Sequence, residues 1–405
     1  MDTSASAPTI AFDHHDPVFA RDPYEFYASV RERPVFWSPL HGGFWLVTGY
    51  DEVRQVAIDD ATFLSGHVEP GVGGVSIPTL SPVPSVPIEV DNPDAERLRK
   101  VLLADLAPRA VERRAPAIRE MVTRAIDGFV ESGRCDLMND LAKPVPAQMI
   151  MHWLGLDDTR WAEFVDTVHQ MLHSAGDLER VLPAVTRISE WITEAMAERR
   201  TDGFRDDLIS KLMQSLSDDE AASYTFTLIV AGLDTTSAAI GNALVQIDRR
   251  PELRARLLAE PAVLPFAVEE FLRYDAPLQL LARTAARDVE VGGVRIAKGD
   301  RLLVGWAAAN RDPDVFPDPS AIDADRGSNR HLAFGVGLHR CLGSNVARST
   351  MRIVLEELLR RLPDFQLVGE VERYPDAALI YSPLALPATF TAGSPSAPAT
   401  PVAAG

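Results

Sequence analysis

Apolar side chains recur at helical spacing through most of this chain, and a few short segments instead show the extended pattern of strands. Proline, glycine and capping residues mark the segment ends, among them Asp51 at the start of the helix that ends at Ile58. The pattern predicts helices over residues 24–33, 51–58, 96–106, 110–131, 141–156, 159–175, 178–200, 206–216, 251–260 and 263–274, with one more reaching 362. Strands are predicted over 44–48, 289–296 and 301–304 and between 362 and 390, with Gly292 and Gly293 as a hairpin turn. The chain is therefore predicted to be mainly α with a minor β region.

One helical stretch, residues 224–247, is almost entirely apolar and is long enough to cross a membrane. It carries a single charge, Asp234, and follows a sequence typical of a capping box, Ser217 to Glu220. A charge at mid-membrane is costly, whereas the central helix of a large helical core shows the same apolar pattern. Since no other segment resembles a membrane span, we expect this stretch to be the central core helix.

Four segments lack a regular pattern. Residues 1–20 are expected to be irregular, with 1–14 forming a flexible arm, and residues 391–405 form a low-complexity tail expected to be disordered. Residues 65–87 are rich in Gly, Pro, Ser and Val, which is typical of either a binding loop or a disordered surface loop. Residues 312–325 form a Pro- and Asp-rich meander. The remainder, 15–390, is predicted to be a single domain.

Composition narrows the class of protein. Of 405 residues, 46% are hydrophobic, enough for a large core. Only two are cysteines, which argues against a disulfide framework and fits a reducing cytoplasm. The formal net charge of -18 argues against nucleic acid as a partner. The N-terminal segment lacks a basic stretch followed by an apolar one, so neither a signal peptide nor a membrane anchor is expected.

Cys341 lies in the segment HLAFGVGLHRCLG, residues 331–343, immediately before a long helical pattern. Gly335 and Gly337 allow a tight loop that brings the sulfur close to a flat ligand. The following helix places partial positive charge near the sulfur, and we expect both features to favour the thiolate. A thiolate with no second cysteine nearby suits a single axial metal bond rather than a four-ligand zinc site. The alternative is a buried structural cysteine beside a glycine turn.

The segment Ala231-Gly232-Leu233-Asp234-Thr235-Thr236 lies midway along the apolar helix, where Gly, Asp and Thr are poor helix formers. Threonine hydroxyls can bond to the preceding turn and bend a helix, which would open a groove for a ligand and water. An acid beside a hydroxyl can also relay protons. The alternative is a kink or a buried polar pair without chemistry.

Phe334, Gly335, Gly337, His339, Cys341 and Gly343 reproduce the pattern F-G-x-G-x-H-x-C-x-G, and the chain thereby resembles the cytochromes P450. The resemblance extends over about residues 15–390. It implies the cytochrome P450 fold with haem b, iron protoporphyrin IX, between the central helix and the cysteine loop. Cys341 would be the axial ligand of the iron, beside Phe334, Gly335 and Ala231. The A-G-x-D-T-T match implies that Asp234 and Thr235 deliver protons during dioxygen activation.

The same resemblance assigns a structural role to the E-x-x-R pair formed by Glu270 and Arg273, with Arg326 as the expected third partner. An isolated pair of this kind is usually an ordinary solvated helix pair. Here it is expected to support folding and haem incorporation rather than chemistry.

Arg99, Arg283 and His339 match positions that contact the haem propionates in the family. The family commonly has a histidine where this chain has Ala95, so one propionate donor is expected to be missing. Arg97 and His331 are the candidates to replace it.

The family topology implies a substrate pocket with an apolar wall. Its expected segments are residues 65–87, 171–185, 276–281 and 381–384, and its expected side chains are Phe226, Val230, Leu278, Gln279 and Tyr381. Gln279 and Tyr381 are the candidate polar anchors. Such a pocket suits a hydrophobic natural-product intermediate, for example a polyketide or a terpenoid.

A basic cluster stands out on this acidic chain: Arg97, Lys100, Arg109, Arg113 and Arg114. It is either a solvated helix face or a docking surface for an acidic ferredoxin, which a ferredoxin reductase would reduce. The expected activity is that of a monomeric, cytoplasmic monooxygenase that hydroxylates or epoxidises its substrate, without a membrane or nucleic-acid partner. The alternatives are a haem-thiolate enzyme for ring coupling, nitration or peroxygenation, and a non-catalytic haem sensor.

Overall fold

The structure is a computed structural model that describes residues 8–81, 83–173 and 177–396. Its helices are α1 (Pro17–Arg21), α2 (Pro23–Val30), α3 (Tyr50–Ile58), α4 (Asp94–Leu102), α5 (Pro108–Asp127), α6 (Pro144–Leu154), α7 (Trp161–Leu172), α8 (Leu178–Asp202), α9 (Leu208–Ser215), α10 (Asp218–Asp248), α11 (Pro251–Ala259), α12 (Leu264–Tyr274), α13 (Trp306–Ala309) and α14 (Ser344–Arg361). Its strands are β1 (Val35–Ser38), β2 (Phe44–Val47), β3 (Phe63–Leu64), β4 (His67–Glu69), β5 (Val72–Gly73), β6 (Arg134–Asp136), β7 (Leu280–Ala285), β8 (Val289–Val291), β9 (Val294–Ile296), β10 (Arg301–Gly305), β11 (Gln366–Leu367) and β12 (Pro387–Thr389). The architecture is mainly α with minor sheets, as predicted.

Helix α10 is the axis of the helical core. Ser217 caps it in a full capping box, in which the Ser217 side chain accepts from the Glu220 N–H and the Glu220 side chain accepts in return. It contacts α6, α8, α12 and α14. Among the described residues it is the one helix long and apolar enough to cross a membrane, but 72% of its most apolar window is buried within the protein. The prediction of a core helix is therefore confirmed, and the helix runs through residues 231–236 without a break.

The largest sheet lies beside this helical core and has the strand order β1-β2-β10-β7-β3. Strand β10 is parallel to β2 and antiparallel to β7, with Leu302 opposite Arg283. The predicted glycine hairpin joins β8 and β9, and its Gly292 and Gly293 have φ angles of 55° and 75°, which glycine adopts without strain. The sheet matters for the site because β7 carries Arg283.

The start of α3 differs from the prediction. The helix begins at Tyr50, and Gly49 rather than Asp51 occupies the N-cap position. Asp312 takes over the capping role from a distant segment, because its Oδ2 accepts from the Tyr50 N–H at 3.0 Å. The local sequence around Asp51 does not reveal a partner 262 positions away.

Much of the predicted N-terminal arm packs on the domain. Phe12 and His14 are buried, the Phe12 N–H donates to Ser38 Oγ at 3.2 Å, and Pro17–Arg21 is helical rather than irregular. Residues 1–7 lie outside the described part of the chain. Of the predicted tail, residues 391–396 are hydrogen-bonded to the domain, for example through Thr391 to Asp364 and Ser396 to Asp127. Residues 397–405 lie outside the described part.

Residues 65–87 are not structureless. They contain the β4–β5 hairpin, and Ile77 is buried. The Glu89 carboxylate accepts from the N–H groups of Val75 and Ser85 at 2.8 Å each, which ties the middle of this loop to its C-terminal end. Pro82 lies outside the described residues.

Candidate active site

The segment that carries Cys341 forms a tight loop before α14. The Cys341 N–H donates to the Phe334 carbonyl at 2.8 Å, which closes the loop around Gly335 and Gly337. Both glycines have positive φ angles, 63° and 77°. A Cβ at Gly337 would lie 2.6 Å from the Ala57 carbonyl oxygen, so the loop also needs glycine there for close packing. Gly335 and Gly337 therefore allow a tight loop, as predicted.

Cys341 lies just before α14, and its side chain reaches the surface although protein atoms pack closely around the sulfur. Burial of the sulfur region by surrounding protein raises the pKa of the thiol, and the Gly343 N–H with Arg99 and Arg340 lowers it only in part. The expectation that the loop and helix by themselves favour the thiolate is therefore wrong in direction. A bound metal cation would supply the missing stabilisation, because a coordinating thiol is deprotonated outright.

Three cationic or potentially cationic side chains converge beside this loop. Arg99 on α4 donates to the Arg340 carbonyl at 2.6 Å, and Arg283 on β7 is 4% exposed. Burial, followed by the charges of Arg283 and Arg99, lowers the pKa of His339 to about 3, and burial lowers that of Arg283 to about 10. The one carboxylate that acts on Arg283 is Asp91, which already accepts from the Ser65 and Gly66 N–H groups. The cluster thus holds more positive than negative charge.

These features fit haem. His339 Nε2 is buried and has no hydrogen-bond partner among the described residues, and Ala231 is exposed in the middle of an otherwise buried helix. Two propionates would neutralise Arg99 and Arg283, whose positive charge Asp91 balances only in part. Cys341 would bind the iron, and Arg99, Arg283 and His339 would hold the carboxylates.

The two candidates to replace the missing histidine at Ala95 are both occupied. Arg97 forms ion pairs with Asp94 at 3.1 Å and Glu220 at 2.5 Å, and His331 Nε2 contacts Glu269 at 2.9 Å. Ala95 itself is fully buried. Packing thus fills the position of Ala95, and both candidates already pair with carboxylates.

The predicted proton-delivery pair separates onto two faces of α10. Thr235 is partly exposed on the same face as Ala231, and its Oγ1 donates to the Ala231 carbonyl at 2.7 Å. Asp234 is 1% exposed and turns towards α7. Thr235 therefore faces the side where Ala231 is open, while Asp234 lies behind it.

Two histidines that the sequence analysis missed hold the Asp234 carboxylate. His169 Nε2 lies 2.9 Å from Oδ1 and His173 Nε2 lies 2.9 Å from Oδ2. Neither carboxylate oxygen has an in-line hydrogen bond among the described residues, so the two rings contact Asp234 at ion-pair distance without aligned donors. Burial would raise the pKa of Asp234, but the two histidines outweigh it and the pKa lies below its ordinary value.

Tyr374 completes this network. Its ring stacks on His173 with centroids 3.6 Å apart, and its hydroxyl lies 3.0 Å from His169 Nδ1. The two histidines are one helical turn apart at the end of α7, at positions i and i+4. That spacing was visible in the sequence, but nothing local indicated that it would face Asp234.

Glu270 and Arg273 form a bidentate ion pair of 2.7 and 2.9 Å, and both side chains are buried. Arg326 is the third partner, as anticipated, with its Nε 2.9 Å from Glu270 Oε1. Arg273 also donates to three carbonyls of the meander, those of Asn310, Pro319 and Ala321. The network ties α12 to the segment that leads into the cysteine loop.

A second network beside it was not anticipated. Glu269, the neighbour of Glu270, binds Arg348 of α14 at 2.6 Å and His331 at 2.9 Å. Its pKa is lowered to about 2, because these partners outweigh its burial. Arg348 in turn lies over the Phe334 ring at 4.4 Å. The start and end of the cysteine loop are thus both attached to α12.

The predicted pocket wall is only partly correct. Phe226, Val230 and Leu278 are partly buried apolar side chains at the edge of the main core, and Phe226 and Val230 share a face of α10 at positions i and i+4. Residues 174–176 of the expected wall lie outside the described residues.

Of the two predicted polar anchors, Gln279 is engaged elsewhere, and Tyr381 stays a prediction. Gln279 is fully buried, donates to the Ala276 carbonyl at 2.6 Å and accepts from the Tyr27 hydroxyl at 3.2 Å, so its polar atoms are already used. Tyr381 is 5% exposed and packs against Tyr24 in a separate small cluster, under the guanidinium of Arg373 at 3.8 Å. No local sequence pattern indicates these internal partners.

The basic cluster is partly neutralised. Arg97 and Lys100 pair with carboxylates, and Arg114 lies over the Trp153 ring at 4.5 Å. Arg109 and Arg113 are exposed and form no ion pair with any described residue. The available positive surface is therefore smaller than the sequence suggested and is centred on the first turns of α5.

A family model described as Cytochrome P450 matches residues 36–372. The chain belongs to the cytochrome P450 family, and it is a cytochrome P450 monooxygenase of the bacterial type. It is 34% identical over 371 residues to 6-deoxyerythronolide B hydroxylase of Saccharopolyspora erythraea, covering 86% of this chain and 91% of that protein. It is 33% identical over 402 residues to nocardicin C N-oxygenase of Nocardia uniformis subsp. tsuyamanensis, covering 94% and 99%.

A solved structure has the same fold. The cytochrome P450 PksS of the Bacillus subtilis 168 bacillaene polyketide synthase superposes with a TM-score of 0.85 at 28% identity, covering 94% of this chain and 99% of that one. The fold and the haem-thiolate class of the cofactor are thereby established.

Proposed function

We propose that this monooxygenase binds haem b through Cys341, receives two electrons from a separate ferredoxin, and hydroxylates or epoxidises a hydrophobic natural-product intermediate. The observation that carries the proposal is the exposed Cys341 thiol beside Arg99, Arg283 and His339, three side chains with too few carboxylate partners. When bound, haem supplies the activation of dioxygen, and the protein supplies orientation and protons.

Thr235 and Asp234 have different roles in the proposed proton delivery. The Thr235 hydroxyl lies on the open face with Ala231 and orients water there, while Asp234 behind it stays ionised between His169 and His173. Each histidine has a ring nitrogen 2.9 Å from an Asp234 oxygen, so a proton can pass from an imidazole across the carboxylate towards water on the Thr235 side. In this proposal the histidines are the proton source, and Asp234 carries the proton only in passing.

The substrate is proposed to be a polyketide-like or terpenoid molecule of low polarity. The available wall side chains, Phe226, Val230 and Leu278, are apolar, and the side-chain polar atoms of Gln279 are already hydrogen-bonded within the protein. The names of the relatives, a 6-deoxyerythronolide B hydroxylase and a nocardicin C N-oxygenase, agree with secondary metabolism. A substrate with few polar groups near its oxidised carbon is therefore expected.

Two spectra and one variant test the proposal. The reduced protein with carbon monoxide should show the red-shifted Soret band of thiolate ligation, and the Cys341→Ser variant should lose it. Titration with a panel of macrolactones and terpenoids should displace the iron-bound water for the substrate class. Absence of the band in freshly folded wild-type protein would contradict the assignment of Cys341.

Thr235→Ala distinguishes an enzyme from a haem sensor. In an enzyme the variant should consume electrons with less product, because the hydroxyl no longer orients the proton supply. Thr225→Ala is the matched control, because Thr225 makes the same bond to the preceding turn at 2.8 Å but is buried elsewhere on α10. Equal product per electron in wild type and Thr235→Ala would contradict the proton role.

The electron donor is proposed to dock on the surface around Arg109 and Arg113. Charge reversal in Arg109→Glu and Arg113→Glu should lower the rate of first electron transfer from an acidic ferredoxin, most strongly at low salt. Product per electron should stay unchanged, because neither residue touches the site. A rate that is independent of both variants and of salt would place the docking surface elsewhere. We further propose that the protein is a cytoplasmic monomer.

A further inference from the structure

A cluster of metal-binding side chains lies away from the haem site, where the N-terminal segment meets the turn before β2. Asp13, His14 and His41 each offer a ligand atom, and the three atoms lie within 4.8 Å of one another. Among the described residues this is the one such group. Neither the function proposed above nor the family resemblance makes use of it.

His14 is the group that points to a ligand. Its ring is 2% exposed, its Nε2 contacts the Ile77 carbonyl at 2.5 Å, and its Nδ1 has no partner among the described residues. A buried polar atom without a partner is costly and needs an explanation. A metal ion at Nδ1 would provide the missing partner.

The Asp13 carboxylate supplies the anionic ligand of the cluster. The Asp13 carboxylate accepts from His41 Nε2 at 2.8 Å and from the His15 N–H at 2.9 Å. The rings of His14, His15 and His41 lie with centroids 4.2 to 5.4 Å apart.

We propose that Asp13, His14 and His41 bind one divalent transition-metal ion, with zinc as the expected ion. Three atoms no more than 4.8 Å apart lie within about 2.8 Å of a common point, and zinc bonds to nitrogen and oxygen are about 2.0–2.2 Å, so a small rotation of exposed His41 completes the site. Two imidazoles and a carboxylate suit zinc better than the all-oxygen sites of calcium or magnesium. Water would occupy the fourth position.

His15 is not a ligand in this proposal. Its Nδ1 binds Asp376 Oδ2 at 2.8 Å, and its Nε2 lies 3.2 Å from the Ile77 carbonyl, so both nitrogens are engaged. His14 contacts the same carbonyl. A bound ion would therefore tie the N-terminal segment and the turn at His41 to the loop of residues 65–87.

Zinc binding can be measured directly on the holoenzyme. After removal of any affinity tag and dialysis against a chelator, the protein is equilibrated with micromolar zinc, and bound zinc is counted against haem iron by elemental analysis. We expect one zinc per iron and a zinc-dependent rise in Tm. Magnesium and calcium at the same concentration should neither bind nor raise Tm.

Asp13→Asn and His41→Asn should abolish the binding. His41 has a φ angle of 50°, and asparagine tolerates this left-handed conformation, so the second variant keeps the turn. Loss of a direct ligand should weaken zinc by more than the about 10–100-fold typical of outer-shell changes. His152→Asn is the matched control, because His152 is exposed on α6 and outside the cluster.

The zinc content of the wild type and the variants decides whether the site exists. Stoichiometric zinc in wild type and His152→Asn, with loss in both cluster variants that retain their carbon monoxide spectrum, supports the site. No zinc in wild type at micromolar concentration would overturn the proposal. Undiminished zinc in His41→Asn would overturn it equally, even if the haem site behaves as proposed.

Discussion

Two buried carboxylates, Glu270 on α12 and Asp234 on α10, are each held between two basic side chains. Glu270 lies between Arg273 and Arg326, and Asp234 lies between His169 and His173. Both are 1% exposed, and the pKa of each lies below its ordinary value although burial alone would raise it. At both sites a buried carboxylate is kept ionised by basic side chains against the cost of burial.

They solve it with different partners. Arginine is always protonated, and the Glu270 carboxylate also accepts from the Asp323 N–H and Asn329 Nδ2, so its charge is fixed and fully hydrogen-bonded. Histidine gains and loses protons near neutral pH, and the Asp234 oxygens lack in-line hydrogen bonds among the described residues. We infer that the Glu270 network has a structural role, whereas the Asp234 network can pass protons.

The largest effect should come from breaking the fixed network. Glu270→Gln leaves Arg273 buried without its carboxylate, which costs about 3–5 kcal/mol, a large part of the stability of a typical domain. We expect little soluble protein and little haem, measured by circular dichroism and by haem absorbance per milligram. Glu252→Gln is the control, because Glu252 is an exposed acid on α11.

A Glu270→Gln protein with wild-type unfolding and full haem content would show that this network is dispensable. The structural role that we assign to Glu270, in contrast to Asp234, would then be wrong.

The same contrast shows what sequence reasoning can reach. The partners of Glu270 were anticipated, Arg273 because it lies one helical turn away and Arg326 through the family resemblance. The partners of Asp234 are His169 and His173, at the end of α7. In the sequence, two histidines at i and i+4 resemble an ordinary surface pair, and only the tertiary fold brings them to Asp234. Long-range contacts of this kind, like those that occupy Gln279 with Tyr27, are set by packing rather than by local pattern.

The helices and the cysteine loop were predictable because they depend on local sequence signals rather than on long-range contacts. Helical periodicity, the Ser217 capping box and the glycines around Cys341 act within a few residues, and the structure uses each of them locally. The direction of the Cys341 thiol pKa was not predictable from the loop sequence, because desolvation outweighs the Gly343 N–H and the nearby arginines.

The second largest effect should come from Asp234→Asn. The amide cannot carry a proton to or from the site, and loss of a positioned acid typically costs about 10²–10⁴-fold in rate. We expect folded protein with normal carbon monoxide spectra and a large loss of product per electron. Asp219→Asn, an exposed acid in the first turn of α10, should behave as wild type. Unchanged coupling in Asp234→Asn would show that Asp234 is only structural.

Acid unfolding provides a smaller, thermodynamic test. The folded-state pKa of Asp234 lies below its ordinary value of 3.8, so the unfolded chain takes up the proton first as pH falls. Its stabilisation is therefore complete above about pH 3.8 and is lost as pH falls through the folded-state pKa. Urea unfolding of wild type should weaken more steeply than that of Asp234→Asn below that pH. Parallel curves would contradict the ion pairs with His169 and His173.

The smallest effects should come from the histidines singly. His169→Gln or His173→Gln leaves one ion pair to hold Asp234 ionised, so we expect less than about a tenfold loss of product per electron. The double variant removes both positive partners, so burial raises the pKa of Asp234 and the acidic limb of the pH–rate profile moves to higher pH. Tyr374→Phe keeps the ring stacked on His173 and removes only the hydroxyl 3.0 Å from His169, so it should change least. If the double variant merely multiplied the two single effects without moving the pH profile, the histidines would act by packing alone.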